Sequence, residues 1–181
     1  KSLAPNEAFN VDYAVKLWLN GGTPPQKLIL GMASYGRSYR LANPAQHNIG
    51  SPSIGQGTAG LITKENGFLS YYEICDNIQN KGWQEGWLEA QKVPYAYHGD
   101  QWVGFDNVKS IEIKAHYIIN NGLGGGMFWA VDLDDFRGNC GQGANPLMTT
   151  MKNVFAGAAP PTFSPITRPP GIIVSEPHVT S

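Results

Sequence analysis

Residues 124–136, G-G-G-M-F-W-A-V-D-L-D-D-F, constrain the fold more than any other stretch. Three glycines lead into an apolar run from Met127 to Val131, which ends in Asp132, Asp134 and Asp135. A short unbroken apolar run bounded by Gly and Asp predicts a strand buried on both faces, the kind from which parallel sheets are built. Trp129 is the largest residue in the run, and its N–H needs a partner when buried. The run alone favours core filling for Trp129 over the floor of a ligand site. Residues 27–32, K-L-I-L-G-M, form a second such run. Tyr35 and Arg37 follow it, two apart, so extended chain points both to one side. A hydroxyl and a guanidinium fork there suit a polar ligand. A buried Tyr with an Arg answering a nearby carboxylate accounts for them equally well.

Helical patterns surround these strands. Residues 1–8 read as a polar lead-in. Asn10 reads as an N-cap, and Val11, Ala14, Val15, Trp18 and Leu19 repeat on one helical face until Gly21-Gly22 and Pro24-Pro25 end it. Asp106 is the expected cap of a second helix lined by Val108, Ile111, Ala115, Ile118 and Ile119 and stopped by Gly122. Asn145-Pro146 predicts a third, with Pro at its first position and Leu147, Met148, Met151, Val154 and Phe155 on its apolar face. The order is an α/β alternation with only two parallel strands. Two strands cannot close a barrel or cover their own edges, so the chain reads as part of a larger sheet.

The middle of the chain has another character. Residues 41–60 read as loop, with His47 a solvated loop residue. Residues 68–74 and 93–97 alternate weakly, as half-buried antiparallel strands do, although 72–78 also suits a short helix. Trp83 and Trp87 read as packing residues of a short turn, with a surface sugar platform as the lesser alternative. This region predicts a small α+β insertion. After Ala156 the chain turns rich in Pro, Thr and Ser, the composition of an extended linker.

Composition narrows the function. The 181 residues are 41% hydrophobic and 15% charged with net charge −1, enough for a real core and without the electrostatic footprint of a nucleic-acid or anionic-membrane binder. No apolar run approaches the ~20 residues of a membrane span. Lys1 opens directly into polar sequence, with no leader pattern before it. Cys75 and Cys140 are two buried thiols or one bridge, and their spacing fits no zinc motif. The linker composition favours a bridge and an oxidising compartment.

Four blocks together carry a family resemblance: K-L-I-L-G-M-A-S-Y-G-R-S-Y, T-K-E-N-G-F-L-S-Y-Y-E-I-C, V-P-Y-A-Y-H-G-D-Q-W-V-G-F-D-N and G-L-G-G-G-M-F-W-A-V-D-L-D-D-F. Over about residues 8–156 the chain resembles the carboxyl-terminal half of an animal glycoside hydrolase family 18 chitinase, a family that also holds inactive chitinase-like lectins. The resemblance implies a partial (β/α)₈ TIM barrel, its last two strands and their helices, with a small α+β chitinase insertion domain. Residues 1–37 and 105–157 would be barrel, 38–104 insertion and 158–181 linker.

The same resemblance implies roles. Trp129 matches the Trp beneath the sugar that is cleaved, which reverses the reading from the run alone. Tyr35 and Arg37 match a cleft-lining Y-G-R. Glu65 matches an insertion-domain carboxylate within reach of sugar hydroxyls. Met127 matches a cleft Met, and Phe68 stands where relatives often carry Met. Cys75 and Cys140 match a family disulfide, and Asp132, Asp134 and Asp135 match a structural D-L-D-D. No cofactor and no metal are implied. The expected partner is chitin or chitooligosaccharide; no oligomeric state follows. The family's D-x-x-D-x-D-x-E and M-x-Y-D motifs occur nowhere in the 181 residues. Family chemistry is substrate-assisted, with a Glu protonating the glycosidic oxygen while the substrate's acetamido group attacks. The expectation is therefore a secreted, extracellular protein of which this chain supplies cleft residues but no catalytic acid. A non-catalytic chitin-binding lectin or matrix protein is the alternative, and a purely structural domain the third.

Overall fold

The computed structural model describes residues 9–157; the expected lead-in over 1–8 and linker over 158–181 lie outside them. Helix α1 (Val11–Asn20) starts where Asn10 Oδ1 accepts the Tyr13 N–H, as its side chain predicts. Only Val15 of its apolar face is buried, with Leu19 partly packed; Trp18 is 61% exposed. The rest of that face is open among the described residues.

Strand β1 (Ile29–Ala33) begins two residues later than expected, because Pro25–Lys27 wind into a 3₁₀ turn first. The chain continues through β2 (Tyr35–Leu41), β3 (Ser53–Gln56), β4 (Phe68–Ser70), α2 (Tyr71–Asn80), β5 (Gln84–Leu88), β6 (Val93–His98), β7 (Gln101–Gly104), α3 (Val108–Asn120), β8 (Gly125–Trp129) and α4 (Pro146–Phe155). Two sheets result. β1 and β8 pair in parallel, from Ile29 beside Gly125 to Ala33 beside Trp129. The other six strands form an antiparallel sheet in the order β3-β2-β7-β6-β5, with β4 also on β2.

The parallel pair is not buried on both faces. Leu30 and Met32 are buried, and Phe128 packs on the same core. Gly126 lies on that side too: a Cβ there would sit 2.6 Å from Met151 Sδ and Met32 Cε. Met127 and Trp129 point the other way, at 47% and 67% exposure. One core serves both sheets, joining Leu30 and Met32 to Leu69, Ala96, Val103, Ile74, Ile111, Ile118 and Leu147.

Other expectations shift by local chemistry. The extended run over 68–74 stops at Ser70, whose capping box with Glu73 starts α2. Residues 41–60 include a short strand, β3. Asn107, not Asp106, caps α3; buried Asp106 instead accepts the Ser110 hydroxyl and the Lys114 ammonium. Asn145 holds the cap position of α4 at φ 50° without a side-chain cap bond. Trp83 packs on the core, whereas Trp87 lies in β5 beneath the Lys109 ammonium, 3.9 Å from its ring centroid. His47 is not a free loop residue: it stacks on Tyr97 at 3.8 Å.

Candidate functional site

The site forms where the chain passes from the parallel to the antiparallel sheet. Ser34 alone separates β1 from β2. Its N–H donates to the Trp129 carbonyl at 3.1 Å, its hydroxyl to the Ala130 carbonyl, and its carbonyl accepts the Tyr71 N–H. The Trp129–Ala130 peptide is cis. The Ser34 hydrogen bonds set the start of β2 beside the end of β8. Trp129 and Met127, two apart, share the open face of β8.

On β2, Tyr35 and Arg37 share a face, as their spacing predicts. Arg37 lies opposite Phe68 on β4. The Tyr35 and Phe68 rings stack with centroids 4.7 Å apart and planes 26° off parallel. The Arg37 guanidinium carbon lies 5.3 Å from both centroids, and its Nη1 is 3.8 Å from Glu65 Oε1. Both charged side chains are more than half exposed, so the pair contributes at most about 1 kcal/mol. Its groups stay available to a polar ligand. Four of the expected residues thus form one contact cluster, and Trp129 with Met127 joins it through the Ser34 backbone.

Glu73 had no functional signal in the sequence, yet it holds the segment leading to Glu65. Its carboxylate accepts from the Ile62 and Thr63 N–H groups, the Thr63 hydroxyl, and the Ser70 N–H and hydroxyl. Gly60 fits against it because a Cβ there would lie 2.3 Å from Oε1. Burial pushes this carboxyl up, but the Ile62, Ser70 and Thr63 N–H groups and the Thr63 hydroxyl outweigh burial and hold it below the ordinary glutamate range.

The three aspartates separate. Asp132 is exposed, whereas Asp134 and Asp135 are fully buried. Asp134 accepts the Asp135 and Met148 N–H groups and so supplies the cap that Asn145 does not. Burial pushes its carboxyl up despite those bonds. Asp135 accepts the Cys140 N–H. Cys140 is bridged to Cys75 of α2 with Cα atoms 5.5 Å apart, as the composition and the resemblance predict. Among the described residues no group of three or more His, Cys, Asp or Glu could hold a metal, and no helix is long and apolar enough to cross a membrane.

Comparisons with known proteins agree on one family. Mouse chitotriosidase-1 is 47% identical over 174 residues, covering 95% of this chain and 35% of the relative. The solved structure of human YKL-39, described as a pseudo-chitinase with retained chitooligosaccharide binding, aligns with TM-score 0.81 and 44% identity over 86% of this chain and 42% of that one. Catalytic domain 2 of the Ostrinia furnacalis group II chitinase aligns with TM-score 0.87 and 39% identity over 92% of this chain and 44% of that one. The chain therefore spans less than half the length of these relatives. The model for glycosyl hydrolases family 18 matches residues 2–134, most of the chain, and with these relatives it shows that the chain belongs to that family.

Proposed function

We propose that this chain is the part of a secreted family 18 chitinase or chitinase-like protein that lines one side of a cleft for β-1,4-linked N-acetylglucosamine. In this reading β1 and β8 are the last two strands of a (β/α)₈ barrel. Residues 1–37 and 105–157 belong to the barrel, 38–104 form the insertion domain and 158–181 a linker. The observation that carries it is Trp129, a large ring 67% exposed at the carboxyl end of a parallel strand and tied through Ser34 to Tyr35. Such a ring offers an apolar face to a pyranose, while Tyr35, Arg37 and Glu65 offer donors and acceptors beside it. Phe68 and Met127 complete the apolar lining. The Cys75–Cys140 bridge supports an oxidising, extracellular setting.

The chain supplies binding and positioning, not the general acid, since no D-x-x-D-x-D-x-E occurs in it. The test is titration of the full chain with N-acetylglucosamine oligomers. Trp129→Ala should weaken binding about tenfold, the loss of roughly 1 kcal/mol or more of stacking. Unchanged retention on chitin would favour a structural domain, and turnover of an oligomer by residues 1–181 alone would refute the absence of the acid. The 44% identity to a pseudo-chitinase that retains chitooligosaccharide binding supports the lectin reading, as the 47% identity to chitotriosidase-1 supports the enzyme. The residue at the acid position in the longer protein decides: Glu marks an enzyme, another residue a lectin.

A further inference from the structure

The outer face of the antiparallel sheet carries more aromatic surface than the cleft reading uses. The face of β2 that bears Tyr35 and Arg37 continues to Tyr39. Directly across from Tyr39 stands Trp102, and across from Trp102 stands Tyr97. Tyr95 shares that face, opposite Gly86 and Gly104.

Two glycines let these rings spread over the sheet. A Cβ at Gly86 would lie 2.3 Å from Tyr95 Cζ, and one at Gly104 would lie 3.2 Å from Trp102 Cη2 and Cζ3. Tyr95 therefore lies across β5 and Trp102 over the end of β7. Their planes are within 19° of parallel with centroids 5.7 Å apart. The Trp102 N–H donates to the His47 carbonyl, which fixes the indole. Beside it opens a cavity of about 200 Å³ whose wall includes Asn48, Ser51 and Ser53. A fixed pair of near-parallel rings with polar side chains at the margin is what stacking against a sugar ring requires, and it loses little entropy on binding.

Continuity names the occupant. Arg37 lies opposite Gly104, the residue Trp102 leans over, so the guanidinium of the cleft cluster borders the ring pair. From Tyr35 to the level of Trp102 is four residues along β2, roughly 14 Å of strand. We infer that Tyr95 and Trp102 form an outlying stacking platform for the same β-1,4-linked N-acetylglucosamine chain, engaged only by oligomers long enough to extend past the Tyr35–Phe68 pair. This rests on the cleft reading above. Tyr95 and Trp102 would be specificity residues for chain length, not for the bond cleaved.

The test is titration of the full chain with N-acetylglucosamine trimer and hexamer. Hexamer should bind more tightly than trimer. Trp102→Leu should weaken hexamer binding about three- to tenfold and leave trimer binding unchanged. Equal loss for both lengths, the mark of a ring that only braces the sheet, overturns the proposal, as does no loss for either. The indole N–H resonance of Trp102 gives a second readout in the unsubstituted protein. Hexamer should move it and trimer should not; a resonance unmoved by hexamer overturns the proposal. Trp129→Ala separates the two readings. If trimer binding ignores Trp129, the cleft reading fails and the platform with it. If trimer binding needs Trp129 while Trp102→Leu is silent, only the platform fails.

Discussion

Glu73→Gln tests how the site is held. Glu73 is buried and takes five donors from Ile62, Thr63 and Ser70. A Gln can turn its carbonyl toward the Ile62 and Thr63 N–H groups and its NH₂ toward the two hydroxyls, which can accept. The Ser70 N–H is then left unpaired inside the protein, and four charge-assisted bonds become neutral or reverse. Hydrogen bonds to a charged group are worth roughly 1.5–3 kcal/mol each, but one retained acceptor offsets part of the sum, so a net loss of about 2–3 kcal/mol is expected at pH 7. The pH dependence gives a second constraint. Donors hold the folded Glu73 carboxyl below its ordinary range. Such a group stabilises fully above its unfolded pKa of about 4.3, and that stabilisation is lost as pH falls through the folded value. Denaturant unfolding of the full chain and of the variant should therefore show a gap at pH 7 that shrinks near pH 3. Hydrogen exchange over residues 60–65 should also quicken in the variant, because Glu73 pins that segment. A gap independent of pH, or no gap at neutral pH, would refute the reasoning.

Two further changes have expected magnitudes. Replacing Cys75 and Cys140 together by Ala opens a loop of 65 residues, and chain entropy sets the loss at about 4 kcal/mol, read from the same unfolding curves. Gly36→Ala would place a Cβ 2.5 Å from Val103 Cγ2 and 2.9 Å from the Gly104 carbonyl, a clash with backbone of the paired strand. Overpacking there should cost about 2–3 kcal/mol, measured as a fall in denaturation midpoint, while a neutral result would show that β2 and β7 can separate locally.

Where one local cause decides, the sequence was legible. Asn10 caps α1 because the donor it serves is three residues away. The β/α alternation and the same-face placement of Tyr35 and Arg37 follow from periods of 3.6 and 2 alone. Some failures turn on a partner distant in sequence, others on competition between close neighbours. Asp134 caps α4 by reaching the Met148 N–H, fourteen residues on. Asp106 looks like a cap, yet Lys114 and Ser110 engage it while Asn107 takes the role. His47 looks like loop until Tyr97, fifty residues later, stacks on it. The weak alternation over β6 hid an aromatic face because Gly86 and Gly104, on neighbouring strands, make its room.

Trp129 shows why an apolar run does not report burial by itself. Met127 and Trp129 sit in the same run as Phe128, yet Phe128 packs on the core and its two neighbours face out. Burial of a strand's second face belongs to whatever packs there, and among the described residues nothing does. The site is nonetheless well defined, because its frame is backbone. The Ser34 N–H, hydroxyl and carbonyl are all engaged, by Trp129, Ala130 and Tyr71, so the ends of β8, β2 and α2 meet at one residue. The exposed Arg37–Glu65 pair adds little to this. Rings on a fixed frame with loosely held charges beside them is the division that favours a sugar polymer. Under the proposed function, such rings would bind with little reordering, while the charges would follow hydroxyls that differ from one sugar ring to the next.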